Sequence, residues 1–276
     1  TSAEMQDVAA VVGKDLFTDE LRETLGQFEQ AKNFGSLIVP KLRDPAETLR
    51  VVEARDFGSD LLLKELQARV VAVLRMAEAL SSKYHVIVAN PPYMGGKGMN
   101  SKIQDFTKQN YPDGKSDLFA AFIERGLSLG IARSFSAMVT MESWMFLGSF
   151  EKLRIRLLEE TTIQSMVHMP YLGKGGKSMG INFGTCAFVC EKSPKAEFNG
   201  RFCCVRYYET DGNGVPLEFP PNNERLSMVS SKDFEKIPGS PIAYWVSEAL
   251  RETFPRSTLL GDFCDFRIGM ATGKNE

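Results

Sequence analysis

The sequence of 276 residues predicts an α/β fold, in which helices are layered on a mixed sheet with an antiparallel edge. Short apolar runs alternate with segments whose apolar residues recur at helical spacing, and this alternation is typical of such folds. Residues 84–89 form an apolar run, as expected of a strand buried on both faces of a parallel sheet. Two later strands are separated only by a short turn at residues 194–200, which favours antiparallel pairing at the edge.

The first 82 residues are predicted to be mainly helical. Residues 3–34 have apolar positions at helical spacing, and Gly35 is a typical stop signal. A long amphipathic helix is predicted from about Ser59 to Leu80. Its apolar face comprises Leu61, Leu62, Leu66, Val70, Val73, Leu74 and Ala77.

The central part of the chain, residues 83–210, is predicted to be the sheet-bearing core. The remaining stretch, residues 211–276, is predicted to be a linker that leads into a further domain, with a helix at residues 242–253. After the strand at 84–89, further strands are expected at residues 135–141, 163–168, 185–190 and 202–207. Helices are expected at residues 102–109, 117–130 and 150–159.

Composition and charge argue against several classes of protein. The formal net charge is -2 and the pI is about 5.9, whereas proteins that grip DNA through its phosphates usually carry a basic surplus. A local basic face, or a DNA-binding domain outside this chain, could still reconcile this charge with DNA binding. No run of 18 apolar residues and no signal-peptide pattern is present. The five cysteines include no CxxC pair, which disfavours a zinc site or disulfides and favours reduced, buried thiols in a cytoplasmic protein.

The tetrapeptide Asn90-Pro91-Pro92-Tyr93 carries the strongest chemical signal. It follows a predicted strand, and ligand sites of open α/β sheets lie beyond the carboxyl ends of strands. The Asn90 side-chain oxygen and the Pro91 carbonyl could each accept one N–H of an exocyclic amine, which would make that nitrogen more nucleophilic. The two prolines restrict the backbone, so the carbonyl is held in one direction and needs little reorganisation.

Tyr93 adds a flat aromatic face to the same segment. A nucleobase turned out of a duplex could stack on it, and such stacking is worth roughly 1–3 kcal/mol per base. Asn-Pro-Pro is also a common turn after a strand, where a nearby tyrosine simply covers the core. We favour the functional interpretation because the tetrapeptide stands between an apolar strand and a loop that contains three glycines at positions 95, 96 and 98.

Residues 86–93, VIVANPPY, resemble the catalytic motif of the gamma-order amino-methyltransferases, which methylate N6 of adenine in DNA. Residues 114–122, GKSDLFAAF, resemble the next motif of that family. More narrowly, NPPYMGGKG at residues 90–98 and NFGSLIVP at residues 33–40 are similar to the PglX-like adenine methyltransferases of BREX phage-defence systems. The resemblance covers most of residues 30–276.

This resemblance implies a Rossmann-like sheet, S-adenosylmethionine as cofactor and double-stranded DNA with a flipped adenine as substrate. Asn90, Pro91, Pro92 and Tyr93 would be catalytic, and Phe122 and Asp117 would contact the cofactor, although Phe122 also fits an ordinary core position. Residues 181–189, INFGTCAFV, resemble the motif that supplies a second aromatic residue to the flipped base. Besides Tyr93, either Phe183 or Tyr171 could play that part.

Two parts of the family pattern, the glycine-rich cofactor loop and the acidic residue that binds the ribose hydroxyls, are not identifiable in the sequence. The glycine-rich cofactor loop, a DPACGSG-like run, is absent, and residues 33–38 do not replace it. In the family this loop precedes the catalytic tetrapeptide, so we expect it upstream of Thr1. The terminal GMATGKN at residues 269–275 resembles the start of a target-recognition domain. We therefore expect a cytoplasmic bacterial fragment that is inactive alone, with residues 83–210 as its catalytic core.

The remaining polar motifs carry weaker signals. Residues 173–178 end like a phosphate-binding Walker A loop, but Tyr171 stands where its first glycine should be. His85 is expected to be a satisfied core histidine, and His168 has no nucleophile elbow beside it, so a hydrolase is not supported. Four lysines after the tetrapeptide could contact DNA phosphate or form a solvated surface. They are Lys97, Lys102, Lys108 and Lys115.

Two other functions fit the same residues. The chain could be a non-catalytic module that binds DNA or a partner protein of a defence complex, such as another BREX protein. It could also be an amino-methyltransferase of protein glutamine or of RNA, because the same tetrapeptide can polarise a glutamine amide. The substrate that accepts a methyl group distinguishes these functions from DNA methylation.

Overall fold

The computed structural model describes residues 2–170, 183–213, 215–221 and 223–265. Six strands form one sheet in the order β1-β2-β4-β3-β5-β6, so the predicted α/β class with a mixed sheet is confirmed. The strands are β1 (Tyr84–Ala89), β2 (Gly130–Met141), β3 (Thr162–Met169), β4 (Thr185–Glu191), β5 (Asn199–Cys204) and β6 (Leu226–Ser230).

The chain divides by its contacts into two compact units. Unit 1 comprises residues 1–140 and 191–193, and unit 2 comprises residues 141–190 and 194–276. The three-part division expected from the sequence concerned the function of each stretch, and it stays a prediction.

Several helices of unit 1 pack around an apolar cluster near the amino terminus. A single helical segment across residues 3–34 was the wrong prediction, because Gly13 takes a φ of +94° after the first helix and Thr18 caps a new one. The helix that begins at the Asp44 cap was not predicted at all. The helices are α1 (Ser2–Val12), α2 (Asp19–Phe28), α3 (Ala31–Phe34), α4 (Pro45–Glu53), α5 (Leu61–Ser81), α6 (Ser101–Asn110) and α7 (Leu118–Leu129).

Helix α5 confirms the long amphipathic helix of the sequence prediction. Asp60 caps it by accepting the Leu63 amide N–H at 3.1 Å, and Val70, Leu74 and Ala77 are buried as expected. The first turn departs from the prediction, because Leu61 and Leu62 are exposed rather than part of the buried face. Both residues stand in the first turn of the helix, which is largely exposed.

Strand β1 is confirmed as a parallel partner of β2, with Val86 opposite Phe135 and Ala89 opposite Met138. Its predicted burial on both faces is wrong, since Val86 is 58% exposed and Val88 is 76% exposed. His85, expected in the core, is exposed as well. The physical reason is the position of β1 at one end of the sheet order. Helix α7 packs against this strand but does not cover both of its faces.

Unit 2 contains the antiparallel edge, but not where the sequence placed it. Strand β5 pairs in parallel with β3, and β6 pairs antiparallel with β5, so the predicted hairpin of β4 and β5 is wrong. The connection at residues 192–198 is long enough to reach from β4 to β5, since it exceeds the two strand spacings of about 5 Å each that separate them. Strand β6 lies in the stretch that was predicted to be a linker.

The remaining helices of unit 2 are short. The helix predicted at residues 242–253 is wrong, because Ile242, Ala243 and Tyr244 are buried in irregular backbone and helical turns begin only at Glu248. The helices are α8 (Glu151–Glu160), α9 (Ser231–Glu235), α10 (Glu248–Arg251) and α11 (Thr253–Arg256).

A buried arginine ties loops to helices in each unit. In unit 1 the Arg125 guanidinium donates to the carbonyl oxygens of Ser36 at 3.0 Å, Ile38 at 3.0 Å and Leu80 at 2.7 Å. In unit 2 the buried Arg154 donates to the carbonyl oxygen of Gly239 at 2.7 Å. Each arginine donates to backbone carbonyl oxygens of residues that are distant in the sequence.

The described part of the chain shows the state of the five cysteines and contains no helix suited to span a membrane. Cys186, Cys190, Cys203 and Cys204 are buried free thiols, as predicted, whereas Cys264 is exposed, which the sequence prediction did not expect. Burial raises the pKa of Cys190 to about 12, so this thiol stays protonated and unreactive. None of the described helices combines the length and the apolar character that crossing a bilayer requires.

Candidate active site

The tetrapeptide lies directly beyond the carboxyl end of β1, where β1 and β2 run side by side. The Tyr93 hydroxyl lies 3.2 Å from the Val139 carbonyl oxygen of β2 and 3.3 Å from the Asn90 Oδ1 atom. The single hydroxyl proton is therefore shared between a fixed backbone acceptor and the Asn90 side chain. This arrangement holds the asparagine oxygen at the edge of the sheet.

Burial differs sharply along the four residues. Pro91 is buried, Asn90 and Pro92 are exposed, and Tyr93 is half-buried. The Tyr93 ring meets the Phe119 ring edge-on, with centroids 6.3 Å apart and planes at 86°. The segment is thus anchored by a proline and an aromatic ring while the polar asparagine faces outward.

Asp117 joins the tetrapeptide loop to helix α7. Its Oδ1 atom accepts the backbone N–H of Met94 at 2.9 Å and that of Phe119 at 3.3 Å, the second of which caps the helix. Burial, the largest effect, raises the pKa of Asp117, although the N–H groups of Met94, Phe119 and Leu118 act to lower it. The cofactor contact expected for Asp117 stays a prediction, and its observed role is structural.

The backbone on either side of Asp117 completes this clamp. The Leu118 N–H donates to the Met94 carbonyl oxygen at 3.1 Å, and the Gly96 N–H donates to the Ser116 carbonyl oxygen at 3.2 Å. Gly114 packs so closely on helix α7 that a Cβ atom there would lie 2.5 Å from the Ala120 carbonyl carbon. Glycine is therefore the residue that this turn requires.

Three further aromatic and cofactor candidates come from the sequence: Phe122, Phe183 and Tyr171. Phe122 is half-buried on α7 and packs against an apolar cluster, so its predicted cofactor contact remains a prediction. Phe183 is half-buried just before β4, and its stacking role is likewise a prediction. Tyr171 and the glycine-lysine segment at residues 173–178 lie outside the described residues. The buried cluster beside Phe122 comprises Leu37, Met99, Ile103, Tyr111, Leu118 and Ala121.

The four lysines after the tetrapeptide are all exposed. Lys102 donates to the Gln30 side-chain oxygen at 3.3 Å, and Lys108 lies 4.0 Å from the Asp105 carboxylate. Lys97 and Lys115 extend the same basic stretch along the loop and toward α7. Because these lysines are exposed, a phosphate backbone could reach them. Their contact with DNA phosphate stays a prediction.

Sequence reasoning missed a polar network in unit 2. The His168 Nε2 atom lies 2.6 Å from the Glu142 Oε2 atom, and His168 Nδ1 lies 2.9 Å from the Tyr244 hydroxyl. Glu142 directly follows β2, and His168 is the penultimate residue of β3. The strand-end argument that singled out Asn90 would have marked Glu142 and His168 as candidates, but not their contact with each other or with Tyr244.

This network lines a cavity of about 460 Å³ in unit 2. Polar, cationic and aromatic side chains share the wall, and such mixed walls are typical of small-molecule sites. The lining residues are Glu142, Phe146, His168, Pro170, Cys204, Arg206, Glu224, Arg225, Ser227, Tyr244 and Trp245. The described residues contain no cluster of histidine, cysteine and carboxylate side chains that could hold a metal ion.

The chain is similar to two adenine-specific methyltransferases. It is 37% identical over 249 residues to the adenine-specific methyltransferase BrxX of Escherichia coli O9:H4 (strain HS), covering 87% of this chain and 20% of that protein. It is 33% identical over 293 aligned positions to the adenine-specific methyltransferase PglX of Lacticaseibacillus casei (strain Zhang), covering 100% of this chain and 24% of that protein. The chain thus spans about a fifth to a quarter of the length of these relatives.

A solved structure and a family model complete the comparison. The type IIG restriction endonuclease BpuSI superposes with a TM-score of 0.44 at 14% identity, over 94% of this chain and 37% of that one. The family model of the Eco57I restriction-modification methylase matches residues 19–173, which include the tetrapeptide and Asp117 and make up more than half of the chain. The chain therefore belongs to the Eco57I restriction-modification methylase family.

Proposed function

We propose that this chain carries the methyl-acceptor site of a site-specific DNA methyltransferase that modifies N6 of adenine. The observation that carries the proposal is the Asn90 side-chain oxygen, held beyond the carboxyl end of β1 by the Tyr93 hydroxyl and followed by two prolines. The activity in the names of the relatives BrxX and PglX, adenine-specific methylation, supports this assignment.

The chemistry depends on two hydrogen-bond acceptors. An amide oxygen has two lone pairs, so Asn90 Oδ1 can bond to Tyr93 and still accept one N–H of the adenine amino group. The Pro91 carbonyl would accept the other N–H. Together they would favour a tetrahedral nitrogen whose lone pair is free to form the new N–C bond, and because the acceptors are already in place little reorganisation is needed.

Tyr93 would serve the same reaction in two ways. Its hydroxyl orients Asn90, and the exposed part of its ring would offer a face to an adenine that has been flipped out of the duplex. Phe183 or Tyr171 would complete the stack from the other side. The adenine proton that leaves after methyl transfer would pass to solvent.

We infer that S-adenosylmethionine supplies the methyl group, as expected for a member of this family. Asp117 and Phe122 would contribute one wall of the cofactor site: the Asp117 carboxylate accepts two backbone N–H groups, and Phe122 packs into an apolar cluster.

The wider setting that we propose is phage defence or restriction-modification. The substrate would be double-stranded DNA, and the partners would be other proteins of a BREX-type defence system, because BrxX and PglX are among the relatives of this chain. The free cysteines favour the reducing cytoplasm of a bacterium.

Replacement of Asn90 by alanine tests the proposal. In the longest polypeptide that carries this chain, N90A should lower the rate of N6-methyladenine formation by about 10²–10³-fold, the loss typical of removing one preorganised hydrogen-bonding group. Y93F, which keeps the ring but loses the hydroxyl, should cause a smaller loss, about 10-fold. The measurement is methyl transfer to DNA, read by mass spectrometry of nucleosides.

The matched control is N110A, which removes another exposed asparagine at the end of α6. It should leave the rate unchanged. Full activity of N90A would contradict the proposal. Transfer to a glutamine peptide or to RNA, with none to DNA, would favour the other amino-methyltransferase functions, and DNA binding with no transfer to any substrate would favour a binding module.

A further inference from the structure

The hydrogens of the buried network in unit 2 can be assigned from its chemistry. Tyr244 is buried, and burial raises its pKa well above the usual range, so its hydroxyl keeps its proton. That O–H can donate to His168 Nδ1 at 2.9 Å. With Nδ1 as the acceptor, the imidazole carries its proton on Nε2 and donates it to the Glu142 carboxylate at 2.6 Å.

Glu142 is also fixed from its other side. A Cβ atom on Gly184 would overlap the Glu142 Oε1 atom, so the carboxylate occupies space that only glycine leaves open. The Glu142 N–H also donates to the Gly184 carbonyl oxygen at 3.0 Å. A carboxylate can accept about four hydrogen bonds, so the bond from His168 does not exhaust it. The result is an oriented anionic acceptor in the wall of the cavity.

Two aromatic rings line the same cavity and remain accessible. Trp245 lies against the His168 ring, with centroids 6.0 Å apart and planes at 29°, yet it is 55% exposed. Phe146 is exposed as well. Because the histidine fixes one face of the indole, the other can receive a flat, aromatic ligand.

Two arginines supply positive charge at the cavity wall. Arg225 is paired with Glu209, and it lies 5.8 Å from the centre of the Tyr208 ring. Arg206 forms no ion pair with a described residue, and it lies close enough to Tyr244 to influence that hydroxyl electrostatically. A guanidinium without a carboxylate partner can bind a phosphate group.

We propose that this cavity binds one nucleotide whose base carries an exocyclic amino group. The base would stack on Trp245, its amino group would donate to Glu142, and its phosphate would bind Arg206. The volume of about 460 Å³ accommodates a ligand of this size. The proposal rests on the proposed function in one respect, since DNA would be the source of the nucleotide.

The chain provides its own reporter for the test. It contains two tryptophans, of which Trp144 is fully buried and Trp245 is exposed in the cavity. Titration with each of the four deoxynucleoside 5′-monophosphates, at millimolar concentrations, can be followed by the two indole N–H signals in a heteronuclear NMR spectrum. W245F assigns the signals.

We expect dAMP, dGMP or dCMP to move the Trp245 signal while the Trp144 signal stays in place. Thymidine monophosphate, which lacks an exocyclic amine, should bind at least about 10-fold more weakly than the best of the others. W245A should weaken binding of all four nucleotides. Movement of neither indole signal at saturating concentrations, or equal affinity for all four nucleotides, would overturn the proposal.

Substitutions at Glu142 separate recognition of the amine from simple stacking. In E142Q the amide oxygen would accept from His168, and its NH2 group would face the base. The preference for amine-bearing bases should therefore fall by about 10-fold, while binding of thymidine monophosphate is retained. G184A should have a similar effect, because the added methyl displaces the carboxylate. E197Q removes the same charge at an exposed site and should change nothing.

The nucleotide titration does not depend on methyl transfer. Failure of the cavity proposal can therefore be distinguished from failure of the proposed function. Loss of methylation in N90A with unaltered nucleotide affinities in E142Q would support the function and overturn the cavity proposal. The reverse pair of results would support the cavity and contradict the function. Circular dichroism of each variant confirms that it is folded, and G184A and W245A test the cavity if E142Q is not.

Discussion

At the scale of single residues, Asn90 and Asp117 show two uses of a polar side chain at the end of a strand or the start of a helix. Asn90 is exposed, and its described side-chain bond is to Tyr93, whereas Asp117 is buried and bonds to the backbone of Met94 and Phe119. The first residue has capacity left for a substrate. The second holds the loop in place, and its charge is costly to bury because water is excluded from it.

The pH dependence of stability tests the cost of that charge. A carboxyl whose pKa is raised by folding binds its proton more tightly in the folded state. Its contribution to stability is therefore complete when the pH lies below its pKa in the unfolded chain, which is about 3.9. That contribution is lost as pH rises through the folded pKa of Asp117. D117N keeps an oxygen acceptor for Met94 and Phe119 without a charge. It should therefore gain stability relative to the natural chain on going from about pH 4 to neutral pH.

Urea unfolding of both proteins across that pH range measures the effect. D113N, which neutralises a neighbouring and less buried carboxylate in the same loop, is the control and should leave the pH profile nearly unchanged. A D117N profile that runs parallel to that of the natural chain would contradict the interpretation.

At the scale of elements, close backbone approaches decide how α7 meets its neighbours. Gly114 lies against the backbone of Ala120 in α7. Arg125, also in α7, donates hydrogen bonds to the carbonyl oxygens of Ser36, Ile38 and Leu80. The helix that presents Asp117 and Phe119 to the tetrapeptide is therefore fixed from both sides. The spacing of residue types along the chain predicts neither contact. Gly114 meets backbone atoms, and the carbonyl groups that Arg125 binds are distant in the sequence.

Substitution of Gly114 tests the first of these contacts. In G114A the new methyl group would lie about 2.5 Å from backbone atoms of Ala120, which cannot rotate away as a side chain can. The free energy of unfolding should fall by about 1–3 kcal/mol, the usual cost of overpacking. G96A is the matched control, because nothing lies within 4 Å of the added atom, and it should change stability by less than about 0.5 kcal/mol. Equal unfolding midpoints for the two variants in urea would refute the close contact.

At the scale of the whole molecule, charge is nearly balanced. The formal net charge of -2 provides no general attraction to DNA. Any electrostatic attraction to DNA must therefore come from a locally basic part of the surface. The exposed lysines that follow the tetrapeptide are the local surplus that the sequence suggested. Their contribution can be measured because phosphate contacts make binding dependent on salt.

Neutralisation of three of these lysines, K97Q/K102Q/K115Q, should weaken DNA binding of the longest polypeptide uniformly across sequences. The slope of log K against log salt concentration should become shallower by about 0.9 for each phosphate that the variant no longer neutralises. Fluorescence anisotropy of a labelled duplex at several salt concentrations gives this slope. A control variant carries the same charge change at three other exposed or half-exposed lysines, Lys14, Lys41 and Lys64. The same slope in both variants would show that the stretch after the tetrapeptide does not contact phosphate.

Local information in the sequence determined the α/β class, the extent of α5, strand β1 and the tetrapeptide beyond it. These features depend on residue periodicity and on proline stereochemistry, which act over a few neighbours along the chain. The same information placed the start of α7 at residue 117, where the Asp117 carboxylate caps the helix by accepting the Phe119 amide N–H.

Only the tertiary structure decided which strands are neighbours and which faces are covered. Strand β3 lies between β4 and β5 although the short turn favoured a hairpin, and Val86 and Val88 are exposed although their run is apolar. It also brought Glu142, His168 and Tyr244 together. Strand order, burial and such networks depend on contacts between residues far apart in the chain, and local spacing carries no information about them. The tetrapeptide could therefore be predicted, while the cavity in unit 2 could not.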